Sequence, residues 1–117
     1  MATLRRGELY LVPFPPNDPR AARVFLVVSR QRFLEADHST ALCVPVYSNF
    51  HGLATEVLVD EADGLKHISA LQCDLVTSLR RSQLTNYIGS LSADKMALVN
   101  RALATALGIL PEDIADL

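Results

Sequence analysis

The side chains able to do chemistry in this sequence stand at the ends of its apolar runs. Arg6-Gly7-Glu8 opens Leu9-Tyr10-Leu11-Val12, and Arg23 opens Val24-Phe25-Leu26-Val27-Val28. Tyr47-Ser48-Asn49 closes the run Ala41 to Val46, and Asp74 closes Ile68 to Cys73. A guanidinium can hold two phosphate oxygens at once. Hydroxyls donate hydrogen bonds, and a carboxylate can take a proton. If the runs are neighbouring strands, arginine, hydroxyls and carboxylate could converge at one rim of a small sheet. That is the raw material of a phosphodiester-handling site.

The elements that must position these groups follow from the pattern. Leu9 to Phe14 and Val24 to Ser29 read as strands, the second almost wholly apolar and buried on both faces. The prolines of Pro13-Phe14-Pro15-Pro16-Asn17-Asp18-Pro19 lack ladder donors, so this stretch is an exposed loop. Arg30 to Ala36 suits a short helical turn. Ala41 to Val46 is the third strand. Thr55 to Val59 alternates, with Thr55, Val57 and Val59 on one side and Glu56 and Leu58 on the other. Glu56 is expected to face solvent or pair an arginine. Asp60 to Gly64 reads as a loop, Ile68 to Cys73 as a strand and Tyr87 to Leu91 as a short last strand. Arg80 and Arg81 either extend a polyanion groove or solvate a short helix.

The clearest helix begins after Ser92, an N-cap, with Asp94 in its first turn. Met96, Val99, Leu103 and Ala106 or Leu107 form one apolar face. Gly108 stops it, and Pro111 blocks continuation. The pattern predicts an α+β fold: a compact, barrel-like, mostly antiparallel sheet with a packed C-terminal helix.

Composition narrows the class. A chain of 117 residues suits one domain, 1–117, with a peripheral tail over 109–117. Half its residues are hydrophobic, which excludes a disordered tail. No apolar run approaches the ~20 residues of a membrane span, and no signal-like stretch follows Arg5-Arg6. The expected compartment is the cytoplasm, with no membrane partner. Cys43 and Cys73 lie inside apolar runs and read as small buried hydrophobes, not as a disulfide, metal or redox pair. No cluster has metal-ligand spacing, so neither metal nor cofactor is expected. A net charge of −2 does not suit a general nucleic-acid binder. Residues 1–34, however, hold six arginines against Glu8 and Asp18, giving +4, enough to draw in a polyanion locally.

The sequence resembles the MazF/PemK (Kid) family of type II toxin–antitoxin toxins. Arg6-Gly7-Glu8-Leu9-Tyr10-Leu11-Val12 looks like that family's opening strand, and Arg23-Val24-Phe25-Leu26-Val27-Val28-Ser29 like its second. Val44-Pro45-Val46-Tyr47-Ser48-Asn49 stands where the family has a Pro-x-Thr-Ser stretch. Gly52-Leu53-Ala54-Thr55-Glu56-Val57, Gly64-Leu65 and Cys73-Asp74 are similar to the following hairpin and strand. Ile88-Gly89-Ser90-Leu91 is similar to the step into the last helix. The resemblance implies an SH3-like small antiparallel β-barrel with short helices, and a homodimer. It implies a sequence-selective endoribonuclease cutting single-stranded mRNA by attack of the 2′-hydroxyl, without metal. It further implies a cognate antitoxin that blocks the RNA groove, and operator DNA as a partner only of the toxin–antitoxin complex.

The same resemblance implies catalytic roles for Arg23, Ser48 and Asp74. RNA contacts are expected at Tyr47, Asn49 and Gln72, at His51, which closely follows the Tyr47-Ser48-Asn49 stretch, and at Arg80. Tyr47 stands in place of the family's Thr; it could donate a hydrogen bond, stack under a base or pack at a strand edge. Gln72 replaces an arginine that acts as an acid in some members, and it cannot transfer a proton. Gln72→Arg is therefore expected to raise cleavage. The Gly-x-Glu stretch of the first long loop is absent. A catalytically weak relative that binds RNA or antitoxin is the alternative reading. A gyrase poison of the CcdB type ranks last, because this chain has no Trp and lacks the Trp-Gly-Ile tail.

Overall fold

Most apolar runs become strands, and every strand pairs antiparallel with its neighbours. The computed structural model describes residues 3–13 and 19–115. Phe14, and with it most of the proline-rich loop including Asn17, lies outside the described residues.

In chain order the strands and helices are β1 (Glu8–Val12), β2 (Arg23–Val27), α1 (Gln31–Glu35), β3 (Thr40–Tyr47), β4 (Glu56–Val59), β5 (Ser69–Gln72), β6 (Thr77–Arg80), β7 (Tyr87–Ser90), α2 (Ala93–Ala106) and α3 (Pro111–Ile114). The sheet runs β4-β5-β3-β2-β1-β7, with β6 also on β3. β3 bonds β6 along Thr40 to Cys43, β2 along Cys43 to Pro45 and β5 at Val46 and Tyr47. The sheet curls around this strand into a half-closed barrel.

Alternation along the strands feeds two cores. Leu9, Leu26, Val44, Val57, Val59 and Leu71 face α2, where Val99 and Ala102 are buried against them. Tyr10, Val12, Phe25, Val27 and Cys43 face the other way, onto Leu34 of α1 and onto Leu79 and Leu84. Each fully buried Leu or Val contributes about 1.5–3 kcal/mol relative to exposure. Among the described residues no helix is long and apolar enough to cross a membrane.

α2 starts and ends where the sequence placed it. Ser92 Oγ accepts from the Lys95 N–H at 3.2 Å. Gly108 is left-handed at φ 70°. Met96, Leu103 and Ala106 pack on the core, but Leu107 is 63% exposed. Pro111 does more than block continuation: it opens α3, where a missing N–H costs nothing.

Two segments differ from the sequence reading. Asp60 to Gly64 is a single 3-10 turn over Glu61–Asp63, closed by reciprocal caps between Asp60 and Asp63. Arg80 ends a strand, not a helix. Leu79 is its one buried residue, so Thr77–Arg80 gives almost no apolar signal. Arg81 begins a 3-10 turn and donates to the carbonyls of Leu34 and Ala36, at 2.8 and 3.2 Å.

Candidate active site

The start of β2 and the end of β3 meet because the two strands run antiparallel. Arg23 Nη1 donates to the Val46 carbonyl at 3.0 Å. Its guanidinium carbon sits 3.8 Å from the centre of the Tyr47 ring. Tyr47 thus uses its face, and the occupant of that face is the arginine. Ser48 follows directly and lines the same cavity of about 410 Å³. Lys66, His67 and Ser69, on and just before β5, line it too.

A second polar group gathers around Glu56. Its carboxylate accepts from the backbone N–H groups of Leu53 (2.8 Å) and His51 (3.1 and 3.2 Å) and from Gln72 Nε2 (2.6 Å). Gln72 Nε2 also reaches the Asn49 carbonyl at 3.5 Å. The strand alternation predicts Glu56 facing solvent or paired with an arginine. It is instead 8% exposed and bound by amides. Burial pushes its pKa up, but the bonds from Leu53, Gln72 and His51 and the charge of His51 outweigh this and hold it below the ordinary value.

The residues singled out from sequence therefore divide. Arg23, Tyr47 and Ser48 share the cavity. His51 and Gln72 bind Glu56, and Asn49 accepts from Gln72; the group joins the cavity through the continuous segment 47–51. Asp74 is not in the cavity wall; Thr55 Oγ1 donates to its carboxylate at 2.6 Å. Arg80 pairs with Thr40, at the opposite end of β3 from Tyr47. Glu56, Lys66 and His67 were missed. The one signal for Lys66-His67 was a pair of titratable residues just before a strand.

Both cysteines are buried and free. Burial raises the Cys43 thiol to about 12. Burial, with the nearby Asp74 charge, raises Cys73 to about 11. Neither thiol is a nucleophile at neutral pH. Among the described residues no three His, Cys, Asp or Glu side chains gather as a metal-holding group.

Residues 5–107 match the family described as PemK-like, MazF-like toxin of type II toxin-antitoxin system. This chain belongs to the PemK/MazF toxin family. It is 30% identical over 108 residues to the probable endoribonuclease MazF of Mycolicibacterium smegmatis, spanning 91% of this chain and 98% of that protein. It is 35% identical over 88 residues to endoribonuclease MazF3 of Mycobacterium tuberculosis, spanning 74% of this chain and 80% of the relative. A solved endoribonuclease from a mycobacterial species superposes with a TM-score of 0.77 at 25% identity, covering 93% of this chain and 95% of the other.

Proposed function

We propose that this protein is the toxin of a type II toxin–antitoxin pair and an endoribonuclease acting on single-stranded RNA. The observation that carries the reading is Arg23, tethered at Val46 and stacked on Tyr47 at a cavity shared with Ser48, in a chain of this family. Cleavage proceeds by attack of the ribose 2′-oxygen on the adjacent phosphorus. Charge builds on the phosphate oxygens, where a preorganised guanidinium and a hydroxyl donor stabilise it most. Arg23 supplies the charge and Ser48 the hydrogen bond. Asn49 and His51 flank the entry along the segment 47–51 and contact the RNA chain; Gln72, at the end of β5, supports that segment through Glu56 and the Asn49 carbonyl. Asp74 serves from outside the cavity wall and Arg80 from the far end of β3, where longer RNA passes.

The protein acts in the cytoplasm as a homodimer, with a cognate antitoxin as its inhibitor. Operator DNA is bound only by the toxin–antitoxin complex. Exposed Ile68 (66%), Tyr87 (53%) and Leu42 (49%) supply apolar surface that a second copy or an antitoxin would cover. A monomeric mass at micromolar protein in sedimentation would remove the dimer.

The deciding experiment incubates the purified chain with a long RNA and EDTA. Discrete fragments ending in 2′,3′-cyclic phosphate support the reading. Intact RNA, with RNA or antitoxin tightly bound, overturns it in favour of a binding protein.

A further inference from the structure

Two side chains of the cavity have no role so far. Lys66 and His67 stand between the turn Glu61–Asp63 and β5. Their segment is fixed from three sides. Gly64 leaves the turn at φ 105°, and its backbone lies against that of Gly89 in β7. A Cβ at Gly64 would collide with the Ile88 carbonyl, and one at Gly89 with the Asp63 carbonyl. Lys95 of α2 holds Asp63 at 2.5 Å. Ser69 Oγ donates to the His67 carbonyl at 3.3 Å. The backbone that carries Lys66 and His67 is thereby held in place beside the cavity.

Phosphodiester cleavage needs a proton for the departing 5′-oxygen, which otherwise leaves as a strongly basic alkoxide. Guanidinium, ammonium, phenol and aliphatic hydroxyl groups give up a proton near neutrality far less readily than an imidazolium. His67 is the imidazole in the wall that also bears Arg23, Tyr47 and Ser48. Gln72 carries no transferable proton, and its amide is committed to Glu56 at 2.6 Å.

We propose that His67 is the general acid of this reaction, protonating the 5′-oxygen as it leaves. The inference rests on the endoribonuclease reading above. The 2′-oxygen bonds to phosphorus and its proton passes to solvent. The bond from phosphorus to the 5′-oxygen breaks, and that oxygen takes the imidazolium proton. The neutral imidazole is reprotonated by solvent. The products are a 2′,3′-cyclic phosphate and a 5′-hydroxyl. Lys66, beside it, neutralises a phosphate oxygen.

The test compares two RNAs carrying one mapped cut site. One is all-oxygen; the other has sulfur at the 5′-bridging position, a leaving group that needs no acid. His67→Gln is expected to slow single-turnover cleavage of the oxygen substrate by about 100-fold or more, and of the sulfur substrate by less than about threefold. Because His67 is exposed, the variant should melt with wild type. Equal rates for wild type and variant on the oxygen substrate would overturn the assignment. So would equal slowing on both substrates, which marks a binding role. Absence of cleavage by wild type on both RNAs would instead overturn the endoribonuclease reading, and this inference with it.

Discussion

Arg23 is held by two contacts at once: its guanidinium carbon lies 3.8 Å from the Tyr47 ring centre, and Nη1 donates to Val46 at 3.0 Å. Stacking and tethering freeze a side chain that otherwise loses much rotamer freedom on binding. The remaining N–H groups are left for a phosphate.

Arg23→Ala should therefore cut single-turnover cleavage by about 100- to 1,000-fold, the usual loss for a preorganised charge-stabilising donor. Arg23 is only half-buried, so the melting temperature should barely move. Tyr47→Phe keeps the stacking face and should cleave almost as wild type. Tyr47→Ala removes that face and should fall towards the arginine variant. Wild-type cleavage by Arg23→Ala would remove Arg23 from the site.

The Gln72–Glu56 bond reverses an expectation drawn from sequence. An arginine at Gln72 would stand 16 residues along the chain from Glu56 but directly across the β4–β5 ladder from it. It would pair with that carboxylate in a bidentate fork. Gln72→Arg is now expected to leave the cleavage rate unchanged and to raise thermal stability slightly. A large rate gain, measured on one RNA with EDTA, would show that the side chain escapes Glu56.

Glu56 also makes stability depend on acid. Its folded pKa is held below its unfolded value, so the unfolded chain binds more protons in that window. The contribution is complete above the ordinary glutamate range and is lost as pH falls through the folded value. Melting curves from neutral pH to pH 3 should show a steeper fall for wild type than for Glu56→Gln. Parallel curves would assign the acid sensitivity to other carboxylates.

The two thiols, raised to about 12 and about 11, should resist alkylation in the folded protein. Mass spectrometry after iodoacetamide at pH 8 should find none modified natively and both modified in denaturant. Native labelling of Cys73 would mean that the turn Cys73–Leu75 opens.

What was legible in the sequence was local. The apolar runs gave most of the strands, Ser92 and Gly108 gave the ends of α2, and strand ends brought Arg23 and Ser48 to one cavity. β6 stayed hidden because Leu79 is its single buried residue. The burial of Glu56 needs donors from residues 51, 53 and 72, which no window holds together. Lys66 and His67 reach the cavity only because Gly64 and Gly89, 25 residues apart, bring two backbones into contact. The same local logic puts Asp74 at a strand end but gives no sign that Thr55, 19 residues away, holds its carboxylate.

β3 meets three partners along eight residues, whereas β4 and β7 close the sheet with one neighbour each. Breathing motions start where backbone bonds have least company. They begin at those outer strands and reach β3 only when the whole sheet gives way. Tyr47 closes that strand, Ser48 follows it, and Arg23 is tied to it. The wall that must stay in register with a phosphate is therefore the last to loosen, and the compliance needed to admit a long polymer is left to the rims.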